Sequence, residues 1–568
     1  MSPDSPPIAT EGPDKHQLDR APQFSTSTTL KRNNLESLPD EVLMNIIGNG
    51  DAENTTSMAR NLCLVSKRME PVARQELYRA ISILTCRSLR SLCRTLEKNP
   101  ELGQYMRDLK LIVPTDELRS GNSFRTRTIE NFALLWSFYY EVLVRSAGLR
   151  KLTMMVVDHG HHSDPTLSPH HGFIHRLLEA ITRSQHSGSI IAILPQLEQV
   201  RLMSDVGWDR PTVHPEAFKP FLHLPSLSSL ECMNDSGDWA KCKSSAQPAG
   251  SPANVINASH YEQIKSVVLR ESGCNPTDIM DLTNIASDLE VLFIQYSLGT
   301  VLGSGQRAEA ASATQKKAGQ LEKRYLSDSL EKLQSLNTLA FIPHNNGFGL
   351  TNYITDFLGP SNFLDLKNLR NLTSISVPIN VFASPDGSIT DRLTVSPTKV
   401  LPRSLETLHI IVDANGGKDF LFSPPLNEAW FQPRVAALGF MEELASICPI
   451  VFPSLRQVEY IWAVTRLTEI QRRQEFVEYL WSTPEELRDL EDIRLCDGSV
   501  PLCCPMHTTI QALSPDIDYT SKAEGIVSPF RGRFDSLELA FKNVGVTFEV
   551  TELKEYGDFF LHWQQGRK

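Results

Sequence analysis

The chain has 568 residues, of which 41% are hydrophobic and 22% charged, with a net charge of −11. That balance excludes a fibrous or wholly disordered protein, and the acidic total offers none of the basic surface that nucleic-acid binding requires. Ten scattered cysteines fit a reducing compartment better than a disulfide scaffold, and no apolar run reaches the ~18 residues of a membrane helix, so the expectation is a soluble cytoplasmic or nuclear protein with no membrane or nucleic-acid partner.

Residues 1–33 are rich in Pro, Ser, Thr and Asp and nearly empty of apolar side chains. Such a segment buries too little surface to offset its ordering entropy, which predicts a disordered tail. From residue 34 to 83 the pattern becomes helical. Ser37 followed by Asp40 is a capping-box start, with Pro39 suited to the first turn. Leu38, Val42 and Ile46 follow at spacing four, with Leu43 and Ile47 beside them. A second helix carries Met58, Leu62, Val65 and Met69, and Pro71 punctuates its end. A third, VARQELYRA, places Val72, Leu77 and Tyr78. Three short helices of this size are marginal alone.

Over residues 100–568 a pattern of apolar-x-x-apolar-x-apolar recurs twelve times. It runs from Met106-Leu109-Leu111 through Leu289-Leu292-Ile294 and Leu336-Leu339-Phe341 to Leu490-Ile493-Leu495 and Phe534-Leu537-Leu539. Several copies follow Leu-Pro or Phe-Pro turns, as in LPQLEQVRL, LPSLSSLEC and FPSLRQVEY. Read physically, each copy is a short strand with alternate residues inward, and successive strands stack into one parallel sheet. Starts lie about 39 residues apart on average, longer than the ~20–29 of regular leucine-rich repeats, so the solenoid is irregular. Three residues beyond six of the copies stand Asp205, Asp235, Ser272, Ser297, Asn380 and Asp413, side chains able to bond the backbone where a strand turns. The polar stretches 235–259 and 299–320 are expected to be inserted loops.

The segment LESLPDEVLMNII…RNLCLVSKRMEPVARQELYRAISI resembles the F-box as it occurs in fungal proteins. The resemblance covers about 50 residues and rests on Leu38-Pro39, LCLVSKRM and LYRAISI in that order. It implies an α/β protein in which a small three-helix F-box is followed by an irregular leucine-rich-repeat solenoid, with the parallel sheet on the concave face. It further implies docking on the Skp-type adaptor of a cullin-RING ubiquitin ligase through Leu38, Pro39, Val42, Leu43, Leu62, Val65 and Leu77. The repeats would then bind a protein substrate of unknown identity.

Strand geometry turns the second x, and the residue between the last two apolar positions, away from the core. The second x is polar in eleven copies, with Val291 the exception. The other outward position is Val268, Phe293 and Ala340 in three adjacent copies. Val268, Val291, Phe293 and Ala340 therefore form an expected apolar substrate patch on a hydrophilic face, unless the inserted loop 299–320 folds back over it.

No Walker, dinucleotide-binding, HExxH or GxSxG signature is present, so neither cofactor nor catalytic residue is expected and the chain reads as a non-enzyme. His159, His161, His162, His170, His171 and His175 cluster among Pro, Ser and Gly, which predicts a solvated loop rather than a metal site. Cys503, Cys504 and His507 lack a second ligand pair for zinc. Two other readings remain open: a repeat scaffold uncoupled from ubiquitination, and a metal-dependent enzyme built on the 159–175 histidines.

Overall fold

The computed structural model describes residues 38–48, 52–113, 126–156, 169–186, 193–204, 213–237, 239, 242, 261–274, 276–296, 326–342, 363–382, 395–413, 432–463, 531–553 and 563. The chain divides into two compact units, Met1–Leu77 and Tyr78–Lys568. The expected tail at 1–33, Ser37 and the insertion at 299–320 lie outside the described residues.

Three helices build the first unit: α1 (Asp40–Gly48), α2 (Ala52–Val65) and α3, which begins at Glu70. Pro39 opens α1 as its sequence suggests, its carbonyl accepting from the amides of Val42 and Leu43 at 3.1 Å. Asp40 and Glu41 complement the helix dipole in the first turn. Two small apolar clusters hold the helices together. Leu43, Met69 and Val72 form one, with Leu38, Met44 and Leu62 against it. Ile47, Ala59 and Ala73 form the other, joined by Met58, Leu62, Cys63 and Leu77. Arg68 Nη2 ties down the entry to α1 by donating to the Leu38 carbonyl at 3.2 Å.

The second unit is an open α/β array whose twelve strands form one sheet, all parallel and in chain order. They are β1 (Ala80–Ile83), β2 (Asp108–Leu111), β3 (Lys151–Met155), β4 (Gln199–Met203), β5 (Ser229–Met233) and β6 (Ser266–Ser272). The series continues with β7 (Val291–Tyr296), β8 (Thr338–Ile342), β9 (Ser374–Pro378), β10 (Thr407–Asp413), β11 (Gln457–Ala463) and β12 (Thr547–Leu553). The first ten copies of the sequence pattern are β2 to β11, and their fourth positions fall in one unbroken column, from Leu109 beside Leu152 to Leu408 beside Val458. Those positions are buried throughout. In eight of these ten copies the first apolar residue closes the preceding turn, as where the Leu197, Leu227 and Leu455 amides donate to the carbonyls of Leu194, Leu224 and Phe452. Proline follows each of those acceptors, and its fixed φ suits the second place of such a turn. Helices between strands cover the other face of the core, among them α4 (Cys86–Lys98), Thr126–Arg145, Pro169–His186 and Gln432–Val451. Trp136 on the second of these packs on Phe173 of the third at 4.8 Å.

Four expectations change. The Phe534-Leu537-Leu539 copy lies in a helix, Arg531–Asn543: Phe534, Leu537 and Phe541 are buried at helical spacing, while Leu539 faces solvent. The twelfth strand is β12 instead, and Leu490-Ile493-Leu495 lies outside the described residues. Residues 80–83, expected to close the helical module, are the first strand of the sheet. Finally, the expected loop from 235 starts as core. Asp235 bridges to Val213, and Trp239 is buried and stacked on Phe218 at 5.7 Å. An aromatic of that size supplies more burial than the surrounding Ser and Gly oppose. The polar strand-end positions act as expected where they are described: Asp235 accepts from the Gly237 amide at 2.9 Å, and Ser272 from that of Cys274 at 3.0 Å.

Candidate functional site

On the first unit, the seven expected docking residues separate by burial. Val42 is 40% exposed and so is Ile46, four residues on, leaving an apolar stripe along α1. Pro39 is exposed beside it and Leu38 half-buried. Leu43 is instead core at 3% exposure, and Leu62 and Leu77 pack against the inner clusters. The Val65 side chain lies outside the described residues. Leu64, adjacent to it on α2, is the most exposed large apolar side chain among the described residues of this unit.

On the sheet, the residues between the inward positions make one continuous row. Lys110, Thr153, Arg201 and Glu231 stand at its beginning, then Val268, Phe293 and Ala340, then Ser376, His409, Glu459 and Glu549. The four expected patch residues come together as foreseen, and Ile342, Ile411 and Ile461 extend the cluster. The patch is not open. Trp563 lies on it with its ring centroid 4.5 Å from that of Phe293, tilted by 45°. Phe293, Ala340 and Val291 are buried and Val268 is half-buried, and Trp563 itself is 4% exposed. Apolar area this large gains from cover, and a tryptophan supplies much of it in one residue.

Polar side chains border the cluster on both sides. Arg201 on β4 pairs with Glu231 at the matching place on β5. On the other side Ser376 Oγ lies 2.9 Å from His409 Nδ1, and His409 Nε2 is 3.5 Å from Glu459 Oε2. The Thr551 hydroxyl donates to Glu459 Oε1. The Ser–His–Glu order is that of an activated nucleophile, but all three side chains are buried. In this arrangement the row forms a polar ladder across four strands. Sequence reading did not bring these residues together, because they lie on separate strands 33 and 50 positions apart along the chain. Ile342, Ile411 and Ile461 had a local signal in the unalternating runs LAFI, HIIV and EYIW.

Among the histidines, His159, His161 and His162 lie outside the described residues. His170, His171 and His175 fall in the helix Pro169–His186 rather than in a loop, with His175 exposed. The apolar period of Phe173, Ile174, Leu177 and Ile181, all buried, draws that segment onto the core. Among the described residues no three His, Cys, Asp or Glu side chains are grouped to hold a metal ion, and no helix is long and apolar enough to cross a membrane. Cys503, Cys504 and His507 lie outside them. The seven described cysteines are all free thiols, and burial raises the pKa of Cys232 and Cys274 well above the ordinary value.

Compared with known proteins, the chain matches no family model and no curated sequence.

Proposed function

We propose that this chain is an F-box substrate receptor. Its helical unit would dock on a Skp-type adaptor and through it on a cullin, while its leucine-rich-repeat sheet presents a protein substrate for ubiquitin transfer by the assembled ligase. The observation that carries this is the apolar stripe Val42–Ile46 on α1. The described residues of this unit form two small cores and leave two large aliphatic residues, four apart on one helix, in contact with water. Their exposure costs free energy that a groove on a partner recovers. The order of Leu38-Pro39, LCLVSKRM and LYRAISI along the chain supports the same reading, as does the repeated parallel sheet that follows.

Capture of the purified Skp-type adaptor tests it. Wild type should retain adaptor and cullin, and Val42→Asp should retain neither while melting as wild type does. Equal capture by both proteins, or by neither, would overturn the ligase role and leave a repeat scaffold.

A further inference from the structure

We infer that the apolar centre of the sheet is a receptor site for a tryptophan presented by a partner protein, and that Trp563 occupies it in cis as a competing plug. The inference deepens the substrate-receptor reading above and rests on it for the identity of the partner as substrate.

Three observations carry it. First, the seat is an apolar cluster bordered by polar groups: Phe293, Ala340, Ile342, Ile411 and Ile461 share one face of the sheet, and polar rungs border them on either side. Desolvated aromatic pockets ringed by polar groups are where binding energy concentrates in protein interfaces. Second, the side chains of Phe293 and Ala340 project from the face of the sheet opposite to the inward column of Leu292, Leu339 and Ile375, so the cluster is separate from the main core. The sheet therefore keeps its principal hydrophobic support when the seat is empty. Third, among the described residues the side chain from outside the sheet that joins this cluster is the Trp563 indole, from beyond β12, with its ring 4.5 Å from that of Phe293. A ligand tethered in cis competes at an effective concentration in the millimolar range. A free partner must therefore either bind tightly or arrive when Trp563 is displaced.

The test compares full-length wild type with full-length Trp563→Ala, using as probe a labelled peptide of residues 557–568 added in trans. The same peptide with alanine for tryptophan is the control. The vacated chain should bind the tryptophan peptide at least about tenfold more tightly than wild type does, and bind the alanine peptide no better than wild type. Phe293→Leu in the vacated chain keeps apolar volume but removes the aromatic ring, and should weaken peptide binding about tenfold. The vacated chain should melt within about 4 °C of wild type. Equal peptide binding by wild type and Trp563→Ala overturns the inference. So does a vacated chain that loses cooperative melting, because Trp563 would then be core. Adaptor capture is measured on the same preparations: unchanged capture by Trp563→Ala is expected, whereas absent capture by wild type as well would fail the ligase reading without touching the plug.

Discussion

Ser376 on β9 and His409 on β10 meet across 2.9 Å, hydroxyl to Nδ1, with the Glu459 carboxylate on β11 facing the other ring nitrogen. If the Ser376 hydroxyl donates to Nδ1, the imidazole proton sits on Nε2 and points at Glu459. His409→Ala would leave a buried carboxylate without its neighbour and should cost about 2–4 kcal/mol. In His409→Ala/Glu459→Gln the stranded charge is gone, so the double variant should lose clearly less than the two single losses added together. Urea unfolding of the four proteins measures this, and strictly additive losses would mean that the two side chains are not coupled.

Glycine spacing tests how the repeats stack. The Gly148 amide donates to the Gly103 carbonyl at 3.1 Å, and a Cβ on Gly148 would lie 2.1 Å from the backbone oxygen of Gln104. Backbone cannot step aside as a flexible side chain would, so Gly148→Ala should destabilise by about 1–3 kcal/mol. Gly172, in the helix Pro169–His186, has nothing within 4 Å of its would-be Cβ. Gly172→Ala should stabilise by up to ~1 kcal/mol. Thermal melts of the two variants should move in opposite directions, and a shared direction would contradict the packing described.

Val42 and Leu43 are adjacent in sequence and opposite in burial. Leu43→Ala should destabilise the helical unit by about 2–4 kcal/mol through the cavity left beside Met69 and Val72. Val42→Asp should leave stability within ~0.5 kcal/mol. Hydrogen exchange on the first three helices distinguishes them: faster exchange in the Val42 variant than in the Leu43 variant would reverse the assignment of faces.

Asp235 links stability to pH. Burial raises its pKa above the ordinary 3.8, while hydrogen bonds from Ser272 and the Gly237 amide oppose that shift. The folded protein therefore holds this proton to higher pH than the unfolded chain does. Stability from this group is greatest below 3.8, falls as pH rises through the raised value, and is constant above it. Asp235→Asn keeps an acceptor for Gly237 without the titration. Its stability relative to wild type should rise as pH increases above 3.8, followed by urea midpoints. A difference that stays flat across that range would exclude the raised pKa.

Most of the sheet was legible because its inward column is a strict local rule. Leu109, Leu152 and Val200 announce their strands with a spacing that needs no knowledge of distant contacts. The rule failed where helix and strand share a signature. Phe534, Leu537 and Leu539 satisfy the strand spacing, but Phe541 extends the helical one and captures the segment. At β12 the place of the first apolar residue is held by Gly545, in a left-handed conformation with φ of 77°, which hid Phe548 and Val550. β1 satisfies the pattern with Tyr78, Ile81 and Ile83 but was read as the end of the helical module. On the candidate site, alternation placed Val268, Phe293 and Ala340 side by side correctly. No local signal tells which distant face a lone Trp563 will cover, since that choice is made by long-range apolar contact alone.

Strict chain order in the sheet has a bearing on how the protein is made. Each described strand pairs with the described strand synthesised just before it, so a newly translated repeat meets a finished template, and the exposed edge moves forward strand by strand during elongation. The nascent chain never has to wait for a distant partner to complete its backbone bonding. Among the described residues Trp563 reverses that direction, reaching back over strands made long before it. If Trp563 is the plug inferred above, the seat on Phe293 lacks it until that residue emerges, and a partner met before then would compete with no tethered tryptophan.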